Sequence, residues 1–117
     1  MNVRRGDIYW VNFGNPTGSE QGGHRPALII QNDIGNNSSP TTIIAAITST
    51  QYNKKYPFLV EIPKEESGLP KDSTVNLAQI RTISTDRLIN LSGRLSPNKM
   101  LEIDEAIRAS LGLKSKK

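Results

Sequence analysis

The chain has 117 residues, a length that favours one domain with a thin core, and a hydrophobic fraction of 35% that leaves room for part of the stability to come from a subunit partner. It has no cysteine, which excludes a disulfide framework, a thiol nucleophile and thiolate metal sites, and a lone histidine among scattered carboxylates argues against a protein-built zinc site. The formal net charge of +4 fits a polyanionic partner, but many small soluble proteins carry as much, so charge alone decides nothing.

Taken in chain order, Met1-Asn2-Val3-Arg4-Arg5-Gly6-Asp7 leads into no apolar stretch of the kind a signal peptide needs. The longest clean apolar run, Ile43 to Ile47, is too short to span a bilayer. The expectation is a cytoplasmic protein without membrane contact. Asp7 to Phe13 is β-rich and reads as a first strand, followed by a glycine-rich loop from Gly14 to Gly23. Ala27 to Gln31 reads as a second strand buried on both faces, Asn32 to Thr41 as a loop dense in Asn, Ser, Gly and Pro, and Ile43 to Thr50 as a third strand whose polar end leaves the core. After a loop from Gln51 to Pro57 come a fourth strand, Phe58 to Ile62, and a charged turn region from Pro63 to Asp72. Thr74 to Leu77 and Gln79 to Ile83 follow as two further strand candidates. Ser84 to Leu88 has the form of one capped helical turn, and a short strand fits Asn90 to Leu95. Ser96-Pro97 opens the one long helix, with Ser as N-cap and Pro at the first helical position. Met100, Ile103, Ile107 and Leu111 form its apolar face and Gly112 suits the stop. Many short strands with one terminal helix predict a mainly β chain, a strongly bent sheet or small barrel, in a single domain over residues 1–117 with a basic tail at 113–117.

The richest chemistry lies in Gly18-Ser19-Glu20-Gln21-Gly22-Gly23-His24-Arg25-Pro26. An arginine at a strand's edge keeps its charge at any ordinary pH and presents a planar fork that matches phosphate oxygens. Pro26 confines Arg25 to extended conformations and so fixes where its side chain points. Thr48 lies where the third strand turns polar. Read alone, Arg25 is equally a surface partner for Glu20, and Thr48 an ordinary β-branched strand residue. Gln79 and Arg81 flank Ile80 and share the strand face opposite it, to line a groove or a dimer contact or simply to face solvent. Tyr52 and Tyr56, in a basic loop, are placed to stack on bases, whereas the aromatics within strands read as core. Rossmann, P-loop, HExxH, calcium-loop and GxSxG patterns are absent.

Arg5-Gly6-Asp7-Ile8-Tyr9, the block from Gly18 to Pro26, Ile30-Gln31-Asn32-Asp33, Ala45-Ala46-Ile47-Thr48 and Gln79-Ile80-Arg81-Thr82-Ile83 occur in this order. Together they closely resemble the MazF/PemK family of toxin–antitoxin endoribonucleases, in its Gram-positive MazF branch, from Arg4 to about Leu111. The resemblance implies a small SH3-like barrel with a C-terminal helix, paired as a homodimer. It implies metal-independent, cofactor-free cleavage of single-stranded RNA, mRNA included, at a short sequence. The products implied are a 2′,3′-cyclic phosphate and a 5′-OH, and the consequence is arrest of translation. The implied partner is an acidic, MazE-like antitoxin whose flexible segment covers the RNA groove. The family's arginine falls on Arg25 and its threonine on Thr48. The position before Arg25 varies in the family, so His24 is not carried over as catalytic. Candidate RNA contacts are Ser19, Glu20, Gln21 and His24 in one loop, Ser49, Thr50 and Gln51 in another, and Gln79 and Arg81 on the strand.

RNA brings its own nucleophile, the 2′-OH, so such an enzyme needs neither thiol nor metal. It must align the 2′-oxygen with the scissile phosphorus, move protons and stabilise added charge. Arg25 suits charge stabilisation and is too weak an acid to be a general base. Thr48 can donate a hydrogen bond to a phosphoryl oxygen. For the 2′ proton, His24, Glu20 and a solvent-mediated route are all open. Two other readings compete: a gyrase-poisoning toxin of related fold, and a single-strand RNA-binding module without turnover. Incubation with pure RNA separates all three.

Overall fold

The period-two pattern of the first strand sends Ile8 and Trp10 to one side of a sheet and Tyr9 and Val11 to the other. This division organises the whole computed structural model, which describes residues 2–14, 23–50 and 52–114. The elements are β1 (Asp7–Asn12), β2 (His24–Ile29), α1 (Asp33–Ser38), β3 (Thr41–Thr48), β4 (Leu59–Ile62), α2 (Lys64–Ser67), β5 (Ser73–Ser84), a 3₁₀ turn (Thr85–Arg87), β6 (Leu88–Arg94) and α3 (Pro97–Leu111). The strands form one antiparallel sheet in the order β4-β5-β3-β2-β1-β6. This agrees with the predicted mainly β class and C-terminal helix.

Connectivity forces the sheet to curl. β5 and β6 stand four places apart, about 19 Å across a flat sheet at ~4.8 Å per step. Yet only the three-residue 3₁₀ turn joins them, and such a turn rises roughly 2 Å per residue. The sheet therefore wraps around Tyr9, Val11, Phe13, Ala27, Ile29, Ile44, Ile83 and Leu88, all buried. Its other face packs against α3 through Ile8, Leu28, Ile47, Val75 and Leu77, with Ile103 and Ala106 from the helix. A bulge helps to bend β5: Ala45 pairs with Ile80 but Ala46 pairs with Asn76, so three residues of β5 bulge out between consecutive residues of β3, and the β1–β6 pairing shifts register twice, between Ile8 and Tyr9 and between Trp10 and Val11. Here the expected pair of short strands is one strand, broken in pattern because it is broken in register.

The two edge strands are linked by α2, which follows β4 and packs on β6. Gly68, at φ +75°, and Gly93 bring the α2 terminus and β6 so close that a Cβ on either would strike backbone of the other. Ser92 Oγ donates to the Ser67 carbonyl at 3.0 Å, and the Glu66 carboxylate accepts the Ser96 amide.

Several sequence expectations shift. The second strand starts at His24, because the Phe13 and Gly23 amides bond the Gly23 and Gly14 carbonyls and carry the β1–β2 ladder outward. It ends at Ile29, where the Ile30 and Gln31 amides share the Ile43 carbonyl. The expected loop after it contains α1, capped by Asn32, whose side chain accepts the Gly35 amide at 2.7 Å. Part of the charged turn is α2. The third strand stops at Thr48 because the Thr48 hydroxyl captures the Thr50 amide and turns the chain. The long helix is capped and terminated as expected, but Leu111 is 59% exposed and Ala106 takes its place on the buried face.

Candidate active site at the ends of β2 and β3

The register of β2 against β3 pairs Ile29 with Ile44, Leu28 with Ala45 and Ala27 with Ala46. Two further residues along each strand lie Arg25 and Thr48, so continuing that register sets them across from one another. Both then stand on the face that carries Ala27, Ile29 and Ile44. Arg25 pairs with Val11 of β1, and Thr48 with Thr74 of β5. Arg25 is exposed and Thr48 half-buried. A guanidinium and a hydroxyl thus stand at one end of the sheet, above an apolar floor that holds the strands rigid.

The Thr48 hydroxyl has partners within its own turn. Its Oγ1 accepts the Thr50 backbone N–H at 3.1 Å and donates to Thr50 Oγ1 at 3.0 Å. Ser49 and Thr50 are both exposed. Arg81, across from Ile44, shares the same sheet face, and its guanidinium lies over the Phe13 ring at 5.3 Å. Phe13 is two residues beyond Val11, so Arg81 reaches back toward the end of the sheet that holds Arg25. Gln79 is exposed, in the bulged part of β5.

His24 departs from this group. It pairs with Asn12, and strand alternation turns it to the face opposite Arg25. That geometry disfavours it as a proton acceptor beside Arg25. Ser19, Glu20, Gln21 and Gln51 lie outside the described residues. Tyr52 and Tyr56 are both exposed, but one face of Tyr56 is already taken by Phe58, the rings stacked at 5.2 Å.

No pattern in the sequence marks Arg87, whose Nη1 donates to the Asn12 carbonyl at 3.1 Å and adds a third cation near the β1–β2 neck. A contact spanning this much chain has no local pattern to reveal it. Nor does the sequence show that Arg5 is structural: its Nε donates to the Ile30 carbonyl at 2.8 Å and its Nη2 pairs with Asp104 at 2.7 Å. Its backbone amide bonds Asp33 at 2.7 Å, and that bond, with one from the Asn36 side chain, holds the Asp33 carboxyl below the usual carboxylate range. Asp7 behaves oppositely: burial pushes its carboxyl up, against the pull of the Arg4 amide and of Arg94. Arg94 Nη2 sits 2.5 Å from Asp7 Oδ1 as an ion pair, not as an aligned hydrogen bond. Among the described residues no group of three metal-ligating side chains converges and no helix is long and apolar enough to cross a membrane.

The profile describing PemK-like, MazF-like toxins of type II toxin–antitoxin systems matches residues 4–111. Endoribonuclease MazF of Staphylococcus epidermidis is 50% identical over 111 residues, covering 95% of this chain and 92% of the relative. An endoribonuclease from a mycobacterial species, solved in complex with its cognate antitoxin, superposes with a TM-score of 0.81 at 26% identity, over 97% of this chain and 98% of that one. MazF from Deinococcus radiodurans superposes with a TM-score of 0.79 at 25% identity, over 97% and 99% of the two chains.

Proposed function

The chain belongs to the PemK-like, MazF-like toxin family of type II toxin–antitoxin systems, and from that membership we infer that it is an endoribonuclease whose chemistry is done where β2 and β3 end. The observation that carries the activity is its 50% identity, across nearly the whole chain, to an endoribonuclease. The site assignment is supported by the β2–β3 register, which, continued two residues past Ala27 and Ala46, brings Arg25 across from Thr48. The substrate is single-stranded RNA, mRNA included, cut without metal or cofactor at a short sequence. The domain is one unit over residues 1–117, with a basic tail from 113, acting in the cytoplasm.

The attacking group is the 2′-OH of the nucleotide before the scissile bond. Its oxygen attacks phosphorus in line, the bond to the 5′-oxygen breaks, and the products are a 2′,3′-cyclic phosphate and a 5′-OH. Arg25 answers the negative charge that builds on the phosphoryl oxygens. The threonine end of β3 supplies a neutral donor to the same oxygens, a contribution of about 2.7–4 kcal/mol where such donors have been removed elsewhere. With His24 turned away, Glu20 or a solvent-mediated route takes the 2′ proton. Arg81, Gln79, Ser49, Thr50 and Gln51, with Ser19, Glu20 and Gln21, hold the strand on either side.

The antitoxin partner is an acidic, MazE-like protein, in keeping with the solved complex of the mycobacterial relative. Its flexible segment competes with RNA for the cationic end of the sheet and orders on binding. The toxin itself acts as a homodimer. Sedimentation at micromolar concentration tests the dimer, and a species of monomer mass alone would reject it.

The experiment for the activity is incubation of the purified protein with one long RNA, with and without EDTA, followed by mapping of both ends at each cut. Cyclic phosphate and 5′-OH ends, unaffected by EDTA, are expected. An RNA with hydrogen in place of the 2′-OH at the scissile nucleotide should bind but stay intact. Intact RNA after incubation with a folded dimer would remove the nuclease reading, and cleavage of the deoxy substrate would remove the 2′-OH mechanism.

A further inference from the structure

The hydrogen bonds around Thr48 raise a question of proton supply. A hydroxyl has one proton to donate and two lone pairs with which to accept. Thr48 Oγ1 spends its proton on Thr50 Oγ1 and one lone pair on the Thr50 amide. What it has left is a lone pair. A phosphoryl oxygen is itself an acceptor, so a lone pair is of no use to it.

Thr50 stands differently. Its oxygen receives the Thr48 proton, which leaves its own proton to be donated outside the pair. Thr50 is also the more exposed of the two. A hydroxyl that accepts a hydrogen bond becomes a better donor, because the incoming proton polarises its O–H bond. The backbone tether at 3.1 Å fixes the two oxygens relative to each other, so the outer hydroxyl is held in place without a rigid strand beneath it.

We propose that the hydroxyl of Thr50 is the donor that meets the phosphoryl oxygen, and that Thr48 is the positioning residue that holds and polarises it. This deepens the reading of the β3 end as part of the active site and rests on it. It assigns the reacting hydroxyl to the residue two places beyond the one that the family pattern singles out. It also explains why the loop here runs Thr48-Ser49-Thr50: the turn needs a hydroxyl at its first residue to capture the amide and another at its third to face outward.

The test compares Thr50→Val, Thr50→Ala, Thr50→Ser, Thr48→Val and the double variant Thr48→Val/Thr50→Val, each confirmed as folded by circular dichroism. Each is assayed on RNA with oxygen, and then with sulfur, at a non-bridging position of the scissile phosphate. Thr50→Val keeps the branched shape and the backbone amide and loses only the hydroxyl. It should lower kcat by at least about tenfold, toward the ~10²-fold typical of a lost oxyanion donor, with KM nearly unchanged. Thr50→Ser should restore most of the rate. The double variant should be no slower than Thr50→Val alone, because Thr48 acts only through the Thr50 hydroxyl. Sulfur, a poor acceptor, should slow the wild type and slow Thr50→Val by less. Thr50→Ala repeats the Thr50→Val test should the latter not fold.

If Thr50→Val and Thr50→Ala cleave at the wild-type rate while Thr48→Val is impaired, Thr48 meets the phosphate directly and the proposal fails by itself. If the Thr50 variants are slow yet as sensitive to sulfur as the wild type, Thr50 only shapes the loop and the proposal again fails. If every variant at both positions cleaves normally, the placement of the active site at the end of β3 is what has failed.

Discussion

Gly93 of β6 lies so close to the Ser67 carbonyl of α2 that no methyl group fits between them. Gly93→Ala must therefore push α2 away from the strand and loosen the link between the two sheet edges. Overpacking of this kind costs about 1–3 kcal/mol, and a rigid carbonyl has no side-chain rotamer with which to give way. A lower urea midpoint with an unchanged slope is expected. An unaltered midpoint would mean that the sheet edges are not clamped at this point.

Replacing Arg25 by Ala should abolish cleavage and leave the thermal midpoint nearly unchanged, since the side chain is exposed. Arg25→Lys should also be slow, because a point charge lacks the planar fork that spans two phosphate oxygens. Rapid cleavage by a folded Arg25→Ala protein would remove Arg25 from the mechanism.

At position 48, Ser should retain much of the rate, whereas Ala and Val should lose on the order of a hundredfold. Serine keeps both the capture of the Thr50 amide and the hydrogen bond to the Thr50 hydroxyl. Valine has the right shape for a strand but neither bond. Equal rates for Val and Thr would mean that position 48 serves only the sheet.

RNA affinity should fall as salt rises, because Arg25, Arg81 and Arg87 displace counterions from the strand. The slope for single strands is about −0.7 per phosphate contacted on a log–log plot. Arg25→Ala protein, binding without cutting, gives the cleanest measurement, and Arg81→Ala should shallow its slope further. A response indifferent to salt would exclude phosphate contacts as the source of affinity.

Asp33→Asn should destabilise the protein at neutral pH. The Arg5 amide and the Asn36 side chain hold the Asp33 carboxyl below the ordinary range. A depressed folded-state value stabilises the fold above the unfolded-state value, and that contribution is lost as pH falls through the folded one. The gap between variant and wild type should therefore narrow with acidification and close below the depressed value. A gap of constant size across that range would show that the two hydrogen bonds do not depend on the charge.

What was legible in the sequence was whatever is decided within a few residues. Ser96, Pro97 and Gly112 mark the ends of α3 because caps act over a single turn. α1 was illegible because Gly35 and its asparagines are poor helix formers. It is held instead by a network in which Asn36 Oδ1 accepts from Gln31 Nε2 and from Thr42 Oγ1. β5 looked like two strands because its bulge is set by the partner strand. Of the site, Arg25 and Thr48 were reachable from the strand ends and the family pattern. The facing of His24 away from them needed the register, and the hydroxyl pair with Thr50 needed the turn.

Arg5 has one further consequence, for synthesis. It anchors the beginning of the chain to Asp104, ninety-nine positions later, and so ties the segment before the first strand to the last helix. While the ribosome still holds α3, this latch has nothing to close on, and non-local pairings of this kind form late. Nascent chains stalled ahead of Ile103 should be digested readily by protease, and chains extended well past Leu113 should resist it.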